Sequence, residues 1–398
     1  MTGQSRIRSS CSRWVVLALA ALPLGAPAAT ALQPVRDDEV VEVLPAATRN
    51  RAARAVSAAQ VADPALAALR ARQDIGVARQ TGDTRYWGRA QAVLKPWWDR
   101  PDAPADLAVL QATVLQGRHE FDASRSVLTA ALARSPGHAQ GWLNLAALER
   151  LSARYAESLR ACDAVARTGQ AFYAAACRLE TRSLLGEHHL AAAGLRALAD
   201  QTTDNGQRSW LLSLLAESEE RAGSDSAAAE SYRRSLALGF DLYTAIAYGD
   251  LLLRTGQAAQ ALQVMSTLPE TDVVLLRRAA AWRKLGDPRW IGARATLRER
   301  TAELLRRGDD PAVHARELAL AALWLEDDAV RALDLARRNL LLQREPLDWW
   351  VALQSARRAN DAAASAELTG AIGAAGLHDA RLAAWRRGTA LRARGAAN

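Results

Sequence analysis

A recurring alternation of bulky and small apolar residues constrains the fold of this chain more than any other feature of its sequence. The stretch from 141 to 169 places Trp142, Leu145 and Ala146 at fixed spacings, and Tyr155 follows after a short polar turn. The stretch therefore reads as two amphipathic helices joined by a turn. Neither helix can bury its apolar stripe alone, so the hairpin needs neighbours of the same kind.

The same pattern returns before and after this stretch. The turn residues Gly186, Gly223, Gly256 and Gly286 lie 37, 33 and 30 residues apart, which is close to the period of a helix hairpin repeat. The matching side chains are Phe121, Ser124, Leu128, Ala131 and Pro136 in the preceding unit, Val165 in the unit of residues 141–169, Leu212, Leu215, Ala216, Ala228 and Tyr232 further on, and Tyr248, Gly249, Leu252, Ala261 and Met265 in the last clear unit.

This order of residues resembles the tetratricopeptide repeat (TPR) family, whose unit of about 34 residues runs Trp-x2-Leu-Gly-x2-Tyr, Ala-x3-Phe and Pro. Four well-matched units cover 105–270, and degenerate repeats flank them. Glu149 and Glu219 depart from the pattern where Tyr is usual, and Cys162 departs where Phe is usual. The resemblance implies an all-α, right-handed superhelical α-solenoid of about eight or nine helix pairs over residues 61–398.

The composition favours helix almost everywhere after about residue 60. Ala, Leu and Arg dominate, strand-forming residues are scarce, and half of the residues are apolar, which suits a helical chain with a large core. We expect the tryptophans to fill the interfaces between hairpins, although an exposed Trp pair would instead suit sugar stacking or a protein contact. They are Trp142, Trp210, Trp282 and Trp324, and the pairs Trp97–Trp98 and Trp349–Trp350.

The N-terminus differs from the rest of the chain. Arg6, Arg8 and Arg13 precede an apolar run with small-residue cleavage points, which predicts that residues 1–31 are a secretory signal peptide. The apolar run is shorter than the roughly 20 residues of a membrane span, so we expect no stable membrane insertion after cleavage. Residues 32–60 read as a flexible lead-in, and we expect a periplasmic or secreted mature protein.

The charge of the chain is positive but localised. Lys plus Arg total 51 against 43 Asp plus Glu. The excess lies in the leader and in a predicted basic helix at 380–398, so the body between them is neutral. Nucleic-acid binding needs a basic stripe on the folded body, and none is expected. We expect the cations of 380–398, among them Arg381, to be solvated near the end of the last helix.

No spacing typical of catalysis or metal binding occurs in the chain. Phosphate-binding loops, nucleophile elbows, zinc-protease helices and Cys-x2-Cys pairs are absent. His188 and His189 are adjacent, but neighbours on a helix point about 100° apart and cannot easily chelate one ion. The acids at Asp309–Asp310 and Asp327–Asp328 sit at predicted turns, where helix capping explains them. The sequence predicts no catalytic residue, cofactor or metal.

Two cysteines remain after the predicted leader, Cys162 and Cys177. If the loop between their helices centres on Gly169–Gln170, both lie seven or eight residues from that centre. Antiparallel helices place equidistant residues at one height, so a disulfide is geometrically possible in an oxidising compartment. The alternative is a pair of reduced, buried thiols that act as small hydrophobes.

The resemblance to the TPR family also implies a ligand-binding surface on the concave face of the solenoid. The alternative for each residue of this face is a solvated helix surface. The Lys and Asn cluster by which some family members clamp a C-terminal carboxylate is missing, so that specificity is not carried over. The implied positions are Asn144, Ala147, Arg150, Tyr173, Glu180, Trp210, Glu217, Arg221, Tyr243, Asp250 and Arg254.

These observations favour a non-enzymatic scaffold of the bacterial envelope that binds a peptide or partner protein in the concave face. An alternative is an accessory protein that binds envelope polysaccharide or another anionic glycan through surface Trp residues and the Arg-rich tail. A hydrolase or transferase whose residues are hidden in the solenoid is the third hypothesis, and no motif supports it.

Overall fold

The computed structural model describes residues 63–308 and 310–383, which belong to the compact unit Ala58–Asn398. This described part contains helices and turns but no strand, with two short 3₁₀ segments among the α-helices. The α-helices are α1 (Pro64–Thr81), α2 (Arg85–Leu94), α3 (Ala105–Gly117), α4 (Phe121–Arg134), α5 (Ala139–Leu151), α6 (Tyr155–Arg167), α7 (Ala171–Leu184), α8 (His188–Gln201), α9 (Asn205–Arg221), α10 (Asp225–Leu238), α11 (Leu242–Arg254), α12 (Ala258–Val264), α13 (Asp272–Lys284), α14 (Arg289–Arg306), α15 (Ala315–Leu325), α16 (Ala329–Leu342), α17 (Pro346–Arg358) and α18 (Ala362–Ala374).

The described helices pair into nine hairpins. We call the odd-numbered helix of each hairpin its A helix and the even-numbered one its B helix. Each A helix packs against its own B helix, and most A helices also contact the A helix of the next hairpin. The A helices therefore line the inner face of a stacked array, and the predicted all-α solenoid is confirmed.

The repeat residues occupy the core as the sequence pattern predicts. Ala146 and Ala216 are fully buried, and so are the bulky Leu128 and Tyr232 of neighbouring B helices. A small residue lets two helix axes approach, and a large one fills the space beside it. The four turn glycines all have positive φ, between 71° and 97°, a conformation that favours glycine.

Ion pairs replace aromatic packing where the chain departs from the repeat pattern. Glu149 is buried and binds Arg125 and Arg154, whose Nε atoms lie 3.2 and 2.6 Å from its carboxylate oxygens. Glu219 is buried in the same manner against Arg196, at 2.9 Å. A carboxylate at this position is thus paired with arginines of the adjoining helices, as a buried charge requires.

Later hairpins also contact earlier ones through their loops. The backbone N–H of Arg344, after the eighth hairpin, donates to the Leu151 carbonyl of the third hairpin, with N and O 2.7 Å apart. The N–H of His378, after the ninth hairpin, donates to the Leu184 carbonyl of the fourth at 2.8 Å. In both contacts the end of the A helix of one hairpin meets the loop that follows the hairpin five positions later in the chain. Successive superhelical turns therefore stack on each other.

The first two hairpins obey the same rule. Gly82, in the turn between the two helices of the first hairpin, lies against Thr271, which follows the sixth hairpin. His119 lies in the turn between the two helices of the second hairpin. The charges of Glu317 and Arg316, at the start of the helix that follows the seventh hairpin, act on its imidazole. Burial is the main cause that lowers the pKa of His119. The loop contacts thus form one continuous seam between turns.

The tryptophans divide between core and surface. Trp349 is buried, as expected, and Trp142, Trp282 and the pair Trp97–Trp98 are half-buried against the core. For Trp210 the core assignment is wrong, because 36% of its surface is exposed. It lies at the start of an A helix, where the next hairpin does not cover it.

Several predictions concern residues that the structure does not describe. The signal peptide at 1–31, the lead-in at 32–60 and most of the basic segment at 380–398 lie outside the described residues. Arg381 is described, and the expectation that it is solvated is wrong. Its guanidinium lies 2.6 Å from carboxylate oxygens of both Glu220 and Asp379, because these two acids meet where the chain crosses the fifth hairpin.

Candidate functional site

The predicted concave-face residues lie on the A helices, but many of them bind each other. Arg150 Nη2 lies 2.7 Å from Glu180 Oε2, which joins α5 to α7. Less than a fifth of the surface of either side chain is exposed. Since each charge already has a partner within the chain, this pair stabilises the contact between two hairpins.

A second group lies deeper along the same face. Arg221 is buried, its Nη1 lies 3.3 Å from Glu217 Oε2, and its Nε donates to Ser183 Oγ at 2.9 Å. Burial raises the pKa of Glu217, and the Glu217 carboxylate in turn raises the pKa of the Tyr243 phenol. Tyr243 itself is 58% exposed, so its ring remains accessible beside this internal network.

The remaining predicted residues of the first hairpins also have partners. Asn144 Nδ2 donates to Thr113 Oγ1 of the preceding A helix at 2.9 Å. The Tyr173 hydroxyl accepts from Gln207 Nε2 at 3.1 Å, and its ring lies 6.0 Å from that of Trp210.

Asp250 and Arg254 are the predicted residues that reach a cavity. Asp250 forms two bonds of 2.9 Å with the buried Arg277 guanidinium, and Arg254 binds Asp225 at 2.6 and 2.8 Å. Both side chains nevertheless border an opening on the inner face. The structure therefore brings Asp250 and Arg254 of α11 to a cavity, whereas Tyr243 of the same helix and the predicted groove residues of the earlier repeats do not line it.

The cavity has a volume of about 510 Å³, within the range of about 300–1,000 Å³ typical of ligand pockets. Four successive A helices, α11, α13, α15 and α17, form its walls. Arg381 borders it from the C-terminal segment and Glu220 from α9. Its other lining residues are Leu253, Ala280, Arg283, Lys284, Leu323, Trp324, Asp327, Leu347, Trp350, Gln354 and Arg358.

The cavity combines an apolar wall with charge. Trp324 and Trp350 are half-buried, and each packs against the core while it borders the opening. Arg283 Nη1 donates to the Trp324 carbonyl at 2.6 Å and also binds Asp327, which lowers the pKa of that carboxyl group. A ligand here would therefore meet indole rings and several cationic side chains together.

Most of these lining residues could not be predicted from the sequence. The resemblance assigned concave positions only to the four well-matched repeats, whereas the cavity lies mainly in the degenerate ones. One signal was present: Trp350, Gln354 and Arg358 are spaced at i, i+4 and i+8, which places them on one helix face.

The two cysteines lie outside this cavity. The structure contains a disulfide between Cys162 of α6 and Cys177 of α7, with Cα atoms 5.6 Å apart. Both side chains are buried beside Ala146 and Ala161. The bond therefore fastens the third hairpin to the fourth within the core.

The described residues contain neither a candidate membrane span nor a candidate metal cluster. No helix among them combines the length and apolarity that crossing a membrane requires. In the same residues, no three His, Cys, Asp or Glu side chains gather as metal ligands would.

Solved structures with similar folds are TPR proteins. A Rap protein complexed with Competence and Sporulation Factor is 10% identical, with 82% of this chain and 88% of that chain covered and a TM-score of 0.51. The chain has the tetratricopeptide-repeat fold. The TPR assignment made from the repeat residues is thereby confirmed at the level of fold.

Two other TPR structures resemble the chain less closely in shape. The Cut9–Hcn1 hetero-tetramer of APC/C is 15% identical, with 83% of this chain and 64% of that chain covered and a TM-score of 0.48. A tetratricopeptide repeat protein from Parabacteroides merdae ATCC 43184 is 12% identical, with coverages of 63% and 98% and a TM-score of 0.37. No protein-family model and no curated protein matches this chain.

Proposed function

We propose that this TPR chain is a non-enzymatic scaffold of the bacterial envelope that binds a peptide segment of a partner protein on its inner face. The observation that carries the proposal is the cavity between α11, α13, α15 and α17, which combines indole rings with charged groups. Peptide recognition commonly uses an apolar groove for anchoring side chains and polar groups for register.

The internal ion pairs support a location for the binding site. Arg150 and Glu180 join the third hairpin to the fourth, and Arg221, which also pairs with Glu217 of its own helix, joins the fourth to the fifth through Ser183. These contacts keep the inner face rigid. A rigid groove binds with less loss of conformational entropy than a mobile one. The Rap protein of similar fold is complexed with Competence and Sporulation Factor, which is consistent with a scaffold that takes up a bound factor.

The predicted leader and the disulfide support the envelope location. The predicted leader at 1–31 has an apolar run and cleavage points, and the disulfide is typical of an oxidising compartment. Mass spectrometry of the mature N-terminus in a periplasmic fraction tests this part. A mature chain that starts near residue 32 is expected, and an intact Met1 in the cytoplasmic fraction would contradict it.

The binding function is tested by affinity capture from an envelope extract with the full chain. We expect a defined partner, and we expect Trp350→Ala to lower its recovery at least tenfold because the indole forms the cavity wall. Val330→Ala is the matched control, since Val330 is 72% exposed and does not line the cavity. Wild-type chain that captures no protein would contradict the scaffold function.

A further inference from the structure

The charges around the cavity are not balanced. Asp250 binds Arg277, Asp327 binds Arg283, and Glu220 binds Arg381. Every carboxylate that lines the cavity thus has an arginine partner within the chain. An incoming cation would have to displace one of these partners, which costs the existing pair.

Two cationic side chains of the cavity have no such partner. Within the described residues, no carboxylate lies at ion-pair distance from Lys284 or Arg358, although both line the cavity. Arg358 Nη1 donates only to the Leu323 carbonyl, at 3.0 Å. The side-chain amide of Gln354, one helical turn before Arg358, makes no hydrogen bond among the described residues. The charge of Arg358 also helps to lower the pKa of Asp327, without an ion pair between them. The cavity therefore offers two cations outside any ion pair and one side-chain amide without a hydrogen bond.

The apolar groups lie at the same opening. Trp324 and Trp350 are half-buried, and Leu253 and Leu347 complete the wall. Aromatic rings bind large apolar side chains through area burial and favourable ring geometry. The volume of about 510 Å³ holds a few side chains and not a whole helix.

We propose that this cavity recognises an Asp or Glu side chain that stands beside a bulky apolar residue in a partner's peptide segment. The carboxylate binds Lys284 and Arg358, Gln354 donates to the adjacent peptide, and the apolar side chain packs against Trp324 and Trp350. The inference rests on the proposed function, because it assigns the chemistry of the peptide that the scaffold binds. Charge complementarity decides between an acidic and a basic segment.

Phage display of random peptides on the full mature chain tests the inference. Peptides fused through their C-terminus present no free terminal carboxylate, so any acidic preference comes from side chains. We expect selected sequences to carry Asp or Glu next to Leu, Ile, Phe or Trp. A neutral or basic consensus would overturn the inference and leave the scaffold function intact.

Synthetic peptides then locate the acidic contact. A selected peptide with an amidated C-terminus is compared with its Asp→Asn or Glu→Gln analogue. We expect the amide analogue to bind at least tenfold more weakly to the wild type. The acidic peptide and its amide analogue should bind equally well to the Lys284→Gln, Arg358→Gln double variant, which lacks both cations. Equal affinity of both peptides for the wild type would overturn the inference.

The chain offers an internal control for occupancy, because Lys95 and Lys284 are its only lysines and both are exposed. Acetylation by N-hydroxysuccinimidyl acetate, followed by mass spectrometry, reports each lysine separately. The bound peptide is expected to protect Lys284 at least fivefold and to leave Lys95 unchanged. Equal modification of Lys284 with and without the saturating peptide would overturn the inference.

The same assay distinguishes another occupant. If deletion of residues 384–398 raises the reactivity of Lys284 in the absence of peptide, the chain's own basic segment covers the site and the inference fails. A library that yields no binding peptide also overturns it. The proposed scaffold function then depends on the capture experiment from envelope extract, which is independent of the ligand chemistry inferred here.

Discussion

Arg381 binds Glu220, a residue 161 positions earlier in the chain, with Nη1 and Oε2 2.6 Å apart. The Glu220 side chain is 6% exposed and that of Arg381 is 19% exposed. Among the described residues, this ion pair is the contact nearest the C-terminus in the seam that joins successive superhelical turns. It also closes one side of the inner-face cavity, so the same contact serves the stacking of the turns and the shape of the site.

Arg381→Ala is expected to lower the free energy of unfolding by about 3–5 kcal/mol, because it leaves buried Asp379 and Glu220 with too few cations. Urea unfolding followed by circular dichroism measures the change. Arg338→Ala is the matched control, since Arg338 pairs with Asp334 at the surface and exposed pairs contribute about 0–1 kcal/mol. Equal destabilisation by the two changes would argue against the seam.

Acid is expected to weaken the seam through His119. Its pKa is lowered in the fold, so the unfolded chain binds the proton more readily. The stability that neutral His119 contributes is therefore fully present above the ordinary histidine pKa of about 6.5, and it is lost as the pH falls below that value. The urea midpoint should decrease from pH 7.5 to 5.5.

The variant His119→Asn should show a smaller decrease, because Asn tolerates the positive φ at this position and does not titrate. Some decrease should remain, since burial also lowers the pKa of His188. The exposed His189 provides the control His189→Asn. If His119→Asn retains the full wild-type pH dependence, His119 is not the titrating group.

The disulfide is expected to contribute about 3 kcal/mol, because it closes a loop of 15 residues in the unfolded chain. The Cys162→Ala, Cys177→Ala variant should unfold at a correspondingly lower urea concentration. Dithiothreitol should lower the midpoint of the wild type and leave that of the variant unchanged. Detection of two free thiols by mass spectrometry without reduction would contradict the bond.

Substitutions on the inner face should affect either the stability of the fold or the affinity for peptide, depending on whether the residue lies in an internal ion pair or lines the cavity. Arg221→Met is expected to cost about 3 kcal/mol, because it leaves Glu217 buried without its cation. Gln354→Ala should change stability by less than about 0.5 kcal/mol, since the Gln354 side-chain amide makes no hydrogen bond within the described residues. It should nevertheless weaken peptide affinity several-fold in fluorescence anisotropy. Unaltered affinity in Gln354→Ala would exclude it from the site.

The repeat architecture could be predicted because local residues determine it. Ala146 and Ala216 carry the packing of neighbouring helices, and turn glycines such as Gly256 mark the turn between the two helices of a hairpin. Each of these contacts lies within one hairpin or between adjacent ones. A sequence pattern with a fixed period reports such contacts directly.

The seam and the cavity could not be predicted in the same way. Arg381 and Glu220 are far apart in sequence, and their contact depends on how many hairpins complete a turn. The small rotation between successive hairpins accumulates over the array, and no single repeat specifies the sum. Lys284 and Arg358 lie in degenerate repeats, where no signature residue indicates the inner face.

Site-specific photo-crosslinking in growing cells tests the central claim most directly. A photoreactive amino acid replaces Gln354 inside the cavity or Val330 on the exposed start of α16. We expect position 354 to crosslink one envelope protein, through a segment with an acidic residue beside an apolar one, and position 330 to crosslink none. Crosslinks from position 330 to that protein, with none from position 354, would contradict binding on the inner face.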